Sequence, residues 1–547
     1  GRATALEIVN SDAMNSHHTK EEWGTKLGLI LAVAGSAVGL GNFLRFPGQA
    51  AANGGGAFLI PYFTALLLVG IPIGWAEWAI GRYAGKKGLH SAPAIMGLIG
   101  KGSIARYFGV IGVLIPLGVS YYYVFIEAWT FGYFLKYLAG GIGIDTAAPI
   151  AEQAAVAGEY YNNFTGAEAD GALFSREGTL TIVSWLIVFA LNIWLVFRGI
   201  SKGIEKFVSW AMPAMAILAL GVLIRVLTLG TPDPAVPDQN VINGLGYMWN
   251  PNYSKLADFQ TWLAAAGQIF FSLSVGFGII LNYASYMKPK DDVALSSLTA
   301  SATNELFEVG FGGMITIPAA FIFLGLTGTA AAVATGTFGL GFNTLPVVFA
   351  HMGAPGNFVA AAWFFMLFLA AITSSISMYQ PAIAFVKEAL GWSHKKATAA
   401  IAALGTVGAL LTLWFTQGGA FWSTVDFWVG TFLIFVMATL QIILFSWVFG
   451  IDRGWKEIHS GASIRIPYIF KFIMKYVAPV YLLIVFIGFC AQNLGPSIQA
   501  AWASTGSRVG VLVILATLLL LLIVAFAGER RWRAAGIDID DKSPVLD

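Results

Sequence analysis

The residues of this chain best placed to do chemistry are uncharged oxygens. They gather in two short stretches, Gly35-Ser-Ala-Val-Gly-Leu-Gly-Asn42 and Ser272-Leu-Ser-Val-Gly-Phe-Gly278, which share a Val-Gly-x-Gly pattern at 38–41 and 275–278. Each stretch sits inside a long apolar run. In hydrocarbon every backbone N–H and C=O must be satisfied, so clustered glycines there are costly unless the backbone lines a polar cavity. A helix broken at such a point presents free N–H groups, which favour an anion, and free carbonyls, which favour a cation. Ser36, Asn42, Ser272, Ser274, Asn304, Thr373, Ser374 and Ser375 add hydroxyl and amide oxygens at the same depth. Each hydroxyl alone would bond back to its own helix. As a set around two breaks they suit a hard monovalent cation such as Na⁺, and the paired half-helix ends suit a zwitterionic amino acid.

Other chemistries find little support. Small residues also allow close helix packing, but two matching clusters, each flanked by hydroxyls or Asn, favour the broken-helix reading. A dinucleotide fingerprint fails, because Leu44 holds the position of its third glycine. Cys490 is the single cysteine, and His17, His18, His90, His351, His394 and His459 all fall in the tail or in loops. No nucleophile with a base and no multi-cysteine metal site is expected, so the chain does not read as an enzyme.

The elements that position these oxygens follow from composition. With 57% hydrophobic and 11% charged residues and a mean hydropathy of +0.73, the chain lies far from the soluble norm of about 25% charged. Apolar runs of the roughly 20 residues that cross a bilayer predict about twelve transmembrane helices, near 24–46, 56–83, 105–138, 178–198, 202–228, 259–286, 293–328, 357–388, 394–416, 424–450, 466–491 and 507–528. The two glycine clusters fall in the first and sixth, and so open successive sets of five helices. Interrupted helices at matching positions of two halves point to a transporter binding site built from inverted repeats.

The expected organisation is a tail over 1–23, repeats over 24–230 and 231–450, two more helices over 451–528 and a second tail over 529–547. Residues 1–13 carry no signal, and Met14 is a candidate natural start. The first span follows a polar tail and precedes many others, so it is not a cleavable signal peptide. About 23 Lys and Arg fall on one side of this topology against 5 on the other, which places both termini in the cytoplasm. The net charge of +2 reports topology and not a nucleic-acid partner, and no pattern assigns an oligomeric state.

The chain resembles the neurotransmitter:sodium symporter family, in particular its bacterial leucine-transporting branch. The likeness runs through Trp23-Gly-Thr-Lys-Leu-Gly28, Gly35–Pro47, Asn53-Gly-Gly-Gly-Ala-Phe58, Tyr122–Glu127, Gln268–Gly278, Asn304-Glu305, Thr373-Ser-Ser375, Asp426-Phe-Trp428 and Gly450–Trp455. The resemblance implies an all-α polytopic fold with 5 + 5 inverted repeats, and alternating-access symport of sodium with a neutral, hydrophobic L-amino acid through a cell membrane, in particular a prokaryotic inner membrane. An amino-acid receptor or an ion channel on the same scaffold is the alternative.

Carried over residue by residue, the family pattern implies one sodium site at Ala37, Asn42, Ser272 and Asn304. It implies a second at Gly35, Val38, Ala370, Thr373 and Ser374. The substrate carboxylate would meet Leu40, Gly41 and Tyr123, and its ammonium the carbonyls around Ala37, Phe271, Ser272 and Ser274. Its side chain would face Val119, Tyr123, Phe271, Ser274, Phe277, Ser374 and Met378. Relatives that carry biogenic amines have an aspartate where this chain has Gly39, so the resemblance implies a ligand that brings its own carboxylate. Glu308 stands where chloride-dependent relatives have a small hydroxyl residue, which implies that no chloride is needed.

Arg45 and Asp426 correspond to an outer ion-pair gate. Lys20, Trp23, Ser285, Tyr286 and Glu388 correspond to an inner gate, with Lys20 and Glu388 replacing the family's Arg and Asp. Glu77 and Glu127 match carboxylates that buttress the breaks.

Overall fold

A computed structural model describes residues 20–545. The expectations for residues 1–13 and Met14 lie outside the described residues. Among those described there is no strand, and ten helices are long and apolar enough to cross a bilayer. In chain order, α1 is the bent pair Lys26–Ala37 and Gly41–Ala52, whose halves meet at 51°. There follow α2 (Gly55–Lys86), α3 (Ser103–Leu138), α4 (Arg176–Phe197) and α5 (Ile200–Leu227). The sixth, α6, is a second interrupted pair, Phe259–Leu273 and Ile279–Ala284. The series ends with α7 (Val293–Ala334), α8 (Gly356–Leu390), α9 (His394–Trp414), α10 (Gln417–His459), α11 (Ile469–Ala503) and α12 (Thr505–Ala534).

Burial decides which helices can build an interior site. The most apolar windows of α3 and α8 are each 89% buried within the protein, against 33% for α11 and 28% for α12. α3 and α8 are therefore the central posts, and α11 and α12 face lipid. α10 runs further than its hydropathy suggests because a helical turn, Gln417–Gly419, precedes it. A break at Gly450 (φ 102) separates its apolar stretch from the polar turns Ile451–His459.

Both breaks fall where the glycine clusters place them. In α1, Val38 leaves the helix for extended backbone (φ −73, ψ 113). In α6, Ser274 turns left-handed (φ 58, ψ 16), and Gly276 (φ 73) and Gly278 (φ 90) follow. A Cβ on Gly278 would lie 2.1 Å from the Gly112 carbonyl of α3, so the two backbones touch with no side chain between them.

The N- and C-terminal segments pack at one end of the bundle. Trp23 donates its indole N–H to the Tyr283 carbonyl at 2.7 Å, and Trp532 donates its own to the Glu388 carbonyl at 3.1 Å. Trp23, Tyr283, Ser285 and Tyr286 are all buried, which seals this end.

Candidate functional site

A cavity of about 600 Å³ lies at the two breaks. Its wall includes Ala37, Gly39, Leu40 and Gly41 of α1, Val119 and Tyr123 of α3, Phe271, Ser272, Ser274 and Phe277 of α6, and Ser374 and Met378 of α8. Every residue assigned to the substrate from sequence is thus in one place. The charged side chains of its wall are Arg45 and Asp426, and past them it reaches α11 at Phe489, Gln492 and Asn493. It therefore extends away from the sealed end.

Each break is held by a polar side chain, as the cost of an orphan N–H in hydrocarbon requires. In α1 the Gly39 N–H donates to Asn42 Oδ1 at 2.9 Å. In α6 the Gly276 N–H donates to Glu77 Oε1 at 2.6 Å. Ser274, strained by roughly 1–2 kcal/mol in its left-handed conformation, donates its hydroxyl across to the Ser36 carbonyl at 3.2 Å. Glu127 does not touch a break. It accepts from Asn192 Nδ2 at 2.8 Å and Ser375 Oγ at 3.0 Å, which ties α3 to α4 and α8.

Asn42 also begins a directed hydrogen-bond chain. Its Nδ2 donates to Asn304 Oδ1 at 2.9 Å, Asn304 Nδ2 to Ser272 Oγ at 2.6 Å, and Ser272 Oγ to Glu308 Oε2 at 2.7 Å. Gln268 Nε2 at 2.5 Å and the Tyr62 hydroxyl complete the donors around Glu308. The Tyr62 hydroxyl also reaches Glu305 at 2.7 Å. Asn42, Ser272 and Asn304 thus converge beside Ala37, with a fixed carboxylate behind them.

The second group of oxygens centres on Ser374. Its Oγ lies 3.2 Å from the Gly35 carbonyl and 3.1 Å from those of Ser36, Val38 and Ala370. One hydroxyl proton can satisfy one of four carbonyls, so this is a cluster of excess acceptors. The neighbouring Thr373 hydroxyl bonds back to Leu369 at 3.0 Å and Ala370 at 3.1 Å. All these atoms are neutral oxygens, the donor set a hard monovalent cation requires, and the softer ligands of a transition metal are absent from it. Among the described residues no group of three His, Cys, Asp or Glu is placed to hold a metal ion.

The two expected gates differ from their expected pairings. Arg45 and Asp426 both line the cavity but make no ion pair with each other among the described residues. Arg45 instead lies over the Phe271 ring, 3.8 Å from its centroid, and Asp426 accepts from the Tyr122 hydroxyl. At the sealed end Lys20 does not pair with Glu388. The Glu388 carboxylate is committed to backbone donors, accepting from His90 N at 3.3 Å and Ser91 N at 2.8 Å, ahead of the helix Ala92–Ile99. The ion pair falls one residue away on each side, Lys387 Nζ to Glu21 Oε2 at 3.2 Å.

Two residues of the sealed end gave no signal in the sequence. His90 stacks on Tyr286 at 4.3 Å, and its Nδ1 lies 2.9 Å from Ser285 Oγ. Glu205, at the start of α5, accepts from Gly24 N at 2.7 Å and Thr25 N at 3.0 Å and so caps the start of α1. Both act through contacts distant in sequence, which periodicity does not report.

Interrupted helices that meet at an internal cavity, with half-helix ends and neutral oxygens facing it, define a secondary transporter of the membrane. Comparison with known proteins narrows this class. The family model described as "Sodium:neurotransmitter symporter family" matches residues 20–147 and 145–530, and the chain belongs to that family. It is 31% identical to an uncharacterized sodium-dependent transporter of Methanocaldococcus jannaschii, over 91% of this chain and 96% of that one. It is 26% identical to the sodium-dependent nutrient amino acid transporter 1 of Drosophila simulans, over 89% and 80% of the two chains. Among solved structures, that of MhsT in complex with L-phenylalanine superposes with a TM-score of 0.70 at 26% identity, covering 85% of this chain and 99% of that one. Membership makes this a sodium-dependent membrane transporter of the LeuT-like fold, and not an enzyme.

Proposed function

We propose that this protein imports a neutral, hydrophobic L-amino acid together with sodium, by alternating access and without chloride. The observation that carries this reading is the cavity at the two breaks, polar at Gly39–Asn42 and Ser272–Ser274 and apolar at Val119, Phe277 and Met378. A carboxylate fits the N–H groups that open the second half of α1, and Tyr123 stands beside them. An ammonium fits the carbonyl side of the α6 break. The apolar wall then takes an uncharged side chain, because an ionised one would be buried without a partner. The nutrient amino acid transporter and the phenylalanine complex among its relatives support the same class.

In this reading one sodium ion sits among Ala37, Asn42, Ser272 and Asn304 and shares the substrate's carboxylate. A second sits among the carbonyls of Gly35, Val38 and Ala370 with Thr373 and Ser374. Shared ligation couples ion to substrate, and by linkage each strengthens the other equally. Glu308, ringed by the donors of Tyr62, Gln268 and Ser272, supplies in covalent form the negative charge that those donors would otherwise draw from an anion. Arg45 and Asp426 close the cavity from outside, and Trp23, Ser285, Tyr286 and the Lys387–Glu21 pair close it from the cytoplasm, where both termini lie. The chain from 24 to 450 forms two five-helix repeats that rock against one another.

Uptake of labelled amino acids into proteoliposomes tests this directly. Accumulation driven by an inward sodium gradient, unchanged when gluconate replaces chloride, is the expected result. Equal uptake with potassium in place of sodium would sink the symport reading, and binding without accumulation would leave a receptor.

A further inference from the structure

The C-terminal segment after α12 is not a loose tail. Asp541 is buried, although its backbone is left-handed (φ 57) without being glycine. Its carboxylate takes the Tyr83 hydroxyl at 2.6 Å, Lys87 Nζ at 2.9 Å and Arg453 Nη2 at 2.9 Å. Asp540 takes Arg106 Nη2 at 2.7 Å, and Asp538 takes Lys87 Nζ at 2.9 Å. Between them Ile539 is buried, and its carbonyl accepts from Arg106 Nη2 at 2.9 Å. A strained non-glycine backbone persists only where its surroundings over-determine it, and here Tyr83, Lys87 and Arg453 hold Asp541 while Arg106 holds the two residues before it.

Those cations lie at the end of α2, the start of α3 and the polar turns of α10, so the segment ties two successive helices to a third about 350 residues further along the chain. The last turns of α12, from which the segment leaves, reach the seal. Arg531 Nη1 and Trp532 Nε1 donate to the Glu388 carbonyl at 3.0 and 3.1 Å. The Glu388 carboxylate holds the backbone of His90, His90 stacks on Tyr286, and the Tyr286 carbonyl accepts from Trp23 N at 3.5 Å. Separating α2 from α3 at this end must strip the strap from one of them, and a buried charge that loses its partner is strongly penalised.

We propose that residues 537–543 form an acidic latch that docks on Lys87, Arg106 and Arg453 and holds the cytoplasmic end closed, undocking when the transporter opens inward. This rests on the alternating-access reading above. The test uses spin labels in a Cys490→Ser background. One label at Lys542→Cys reports docking, and a pair at Lys288→Cys and Lys395→Cys reports opening at that end, each read in sodium and in potassium for the parent and for Asp541→Asn. In sodium the parent should show an immobile label at 542 and one short 288–395 distance. Asp541→Asn should free the label, raise the long-distance population several-fold and raise the sodium concentration for half-maximal uptake. A second variant ending at Gly536 should reproduce both the distance shift and the sodium shift. Release of the label with unchanged distances and unchanged sodium dependence would overturn the latch, as would a label that stays immobile in Asp541→Asn. Absence of sodium-driven uptake in the parent would instead overturn the functional reading.

Discussion

Two single positions test the proposed substrate and its independence of chloride. A Cβ on Gly39 would stand 3.0 Å from the Tyr123 hydroxyl and 3.3 Å from Ser374 Oγ, tighter than ordinary contact. An aspartate there would also set a fixed anion against the substrate's carboxylate. Gly39→Asp should therefore lower amino-acid uptake at least about tenfold, a penalty of only ~1.4 kcal/mol, measured as the initial rate in proteoliposomes. Retained uptake would remove the argument that the ligand brings its own carboxylate. Glu308 answers a different question. Glu308→Ser leaves Tyr62 and Gln268 aimed at a site without negative charge, so uptake should fall about tenfold or more in gluconate and recover with added chloride. Loss that chloride does not repair would make Glu308 a structural residue alone.

At the scale of elements, the seal around Ser285 and Tyr286 should respond to pH through His90. Burial, reinforced by the nearby charges of Lys20 and Lys387, pushes its imidazole down to about 4, from about 6.5 in an unfolded chain. Protons then bind the unfolded state first, so the stability this histidine contributes is complete above about pH 6.5 and is lost as pH falls toward about 4. Thermal unfolding in detergent should show Tm dropping across that window, with a shallower drop in His90→Gln. Identical slopes would place the titration elsewhere. The same cluster marks what the sequence could and could not disclose. The breaks in α1 and α6 were legible because glycine in a hydrophobic span is a local signal with a local cost. Asn42, Ser272, Asn304 and Ser374 were reachable through a motif match. The use of Glu388 as a backbone cap was not, because which donors a carboxylate meets depends on a loop some 300 residues away in sequence. Arg45 and Asp426 show the same limit, for Phe271 and Tyr122 are closer partners than either is to the other.

At the scale of the whole molecule, the two central posts α3 and α8 and the two interrupted helices enclose one cavity. If sodium and amino acid share a ligand shell, sodium must raise the affinity for amino acid by the same factor that amino acid raises the affinity for sodium. Scintillation proximity binding of each ligand against the other measures both factors, and unequal values would break the linkage. Bound together at about a hundred times their dissociation constants, each ligand should add up to ~2.7 kcal/mol to stability. Ser274 gives this energetic picture a local counterpart. Its left-handed backbone would relax in glycine, the residue that normally occupies such a conformation, yet the chain keeps a serine whose hydroxyl reaches Ser36. The hydroxyl and the backbone pull in opposite directions at this point, so Ser274→Gly should raise Tm slightly while weakening sodium-driven uptake. A rise in Tm paired with a loss of uptake would show one hydroxyl trading backbone ease for a bond across the two breaks.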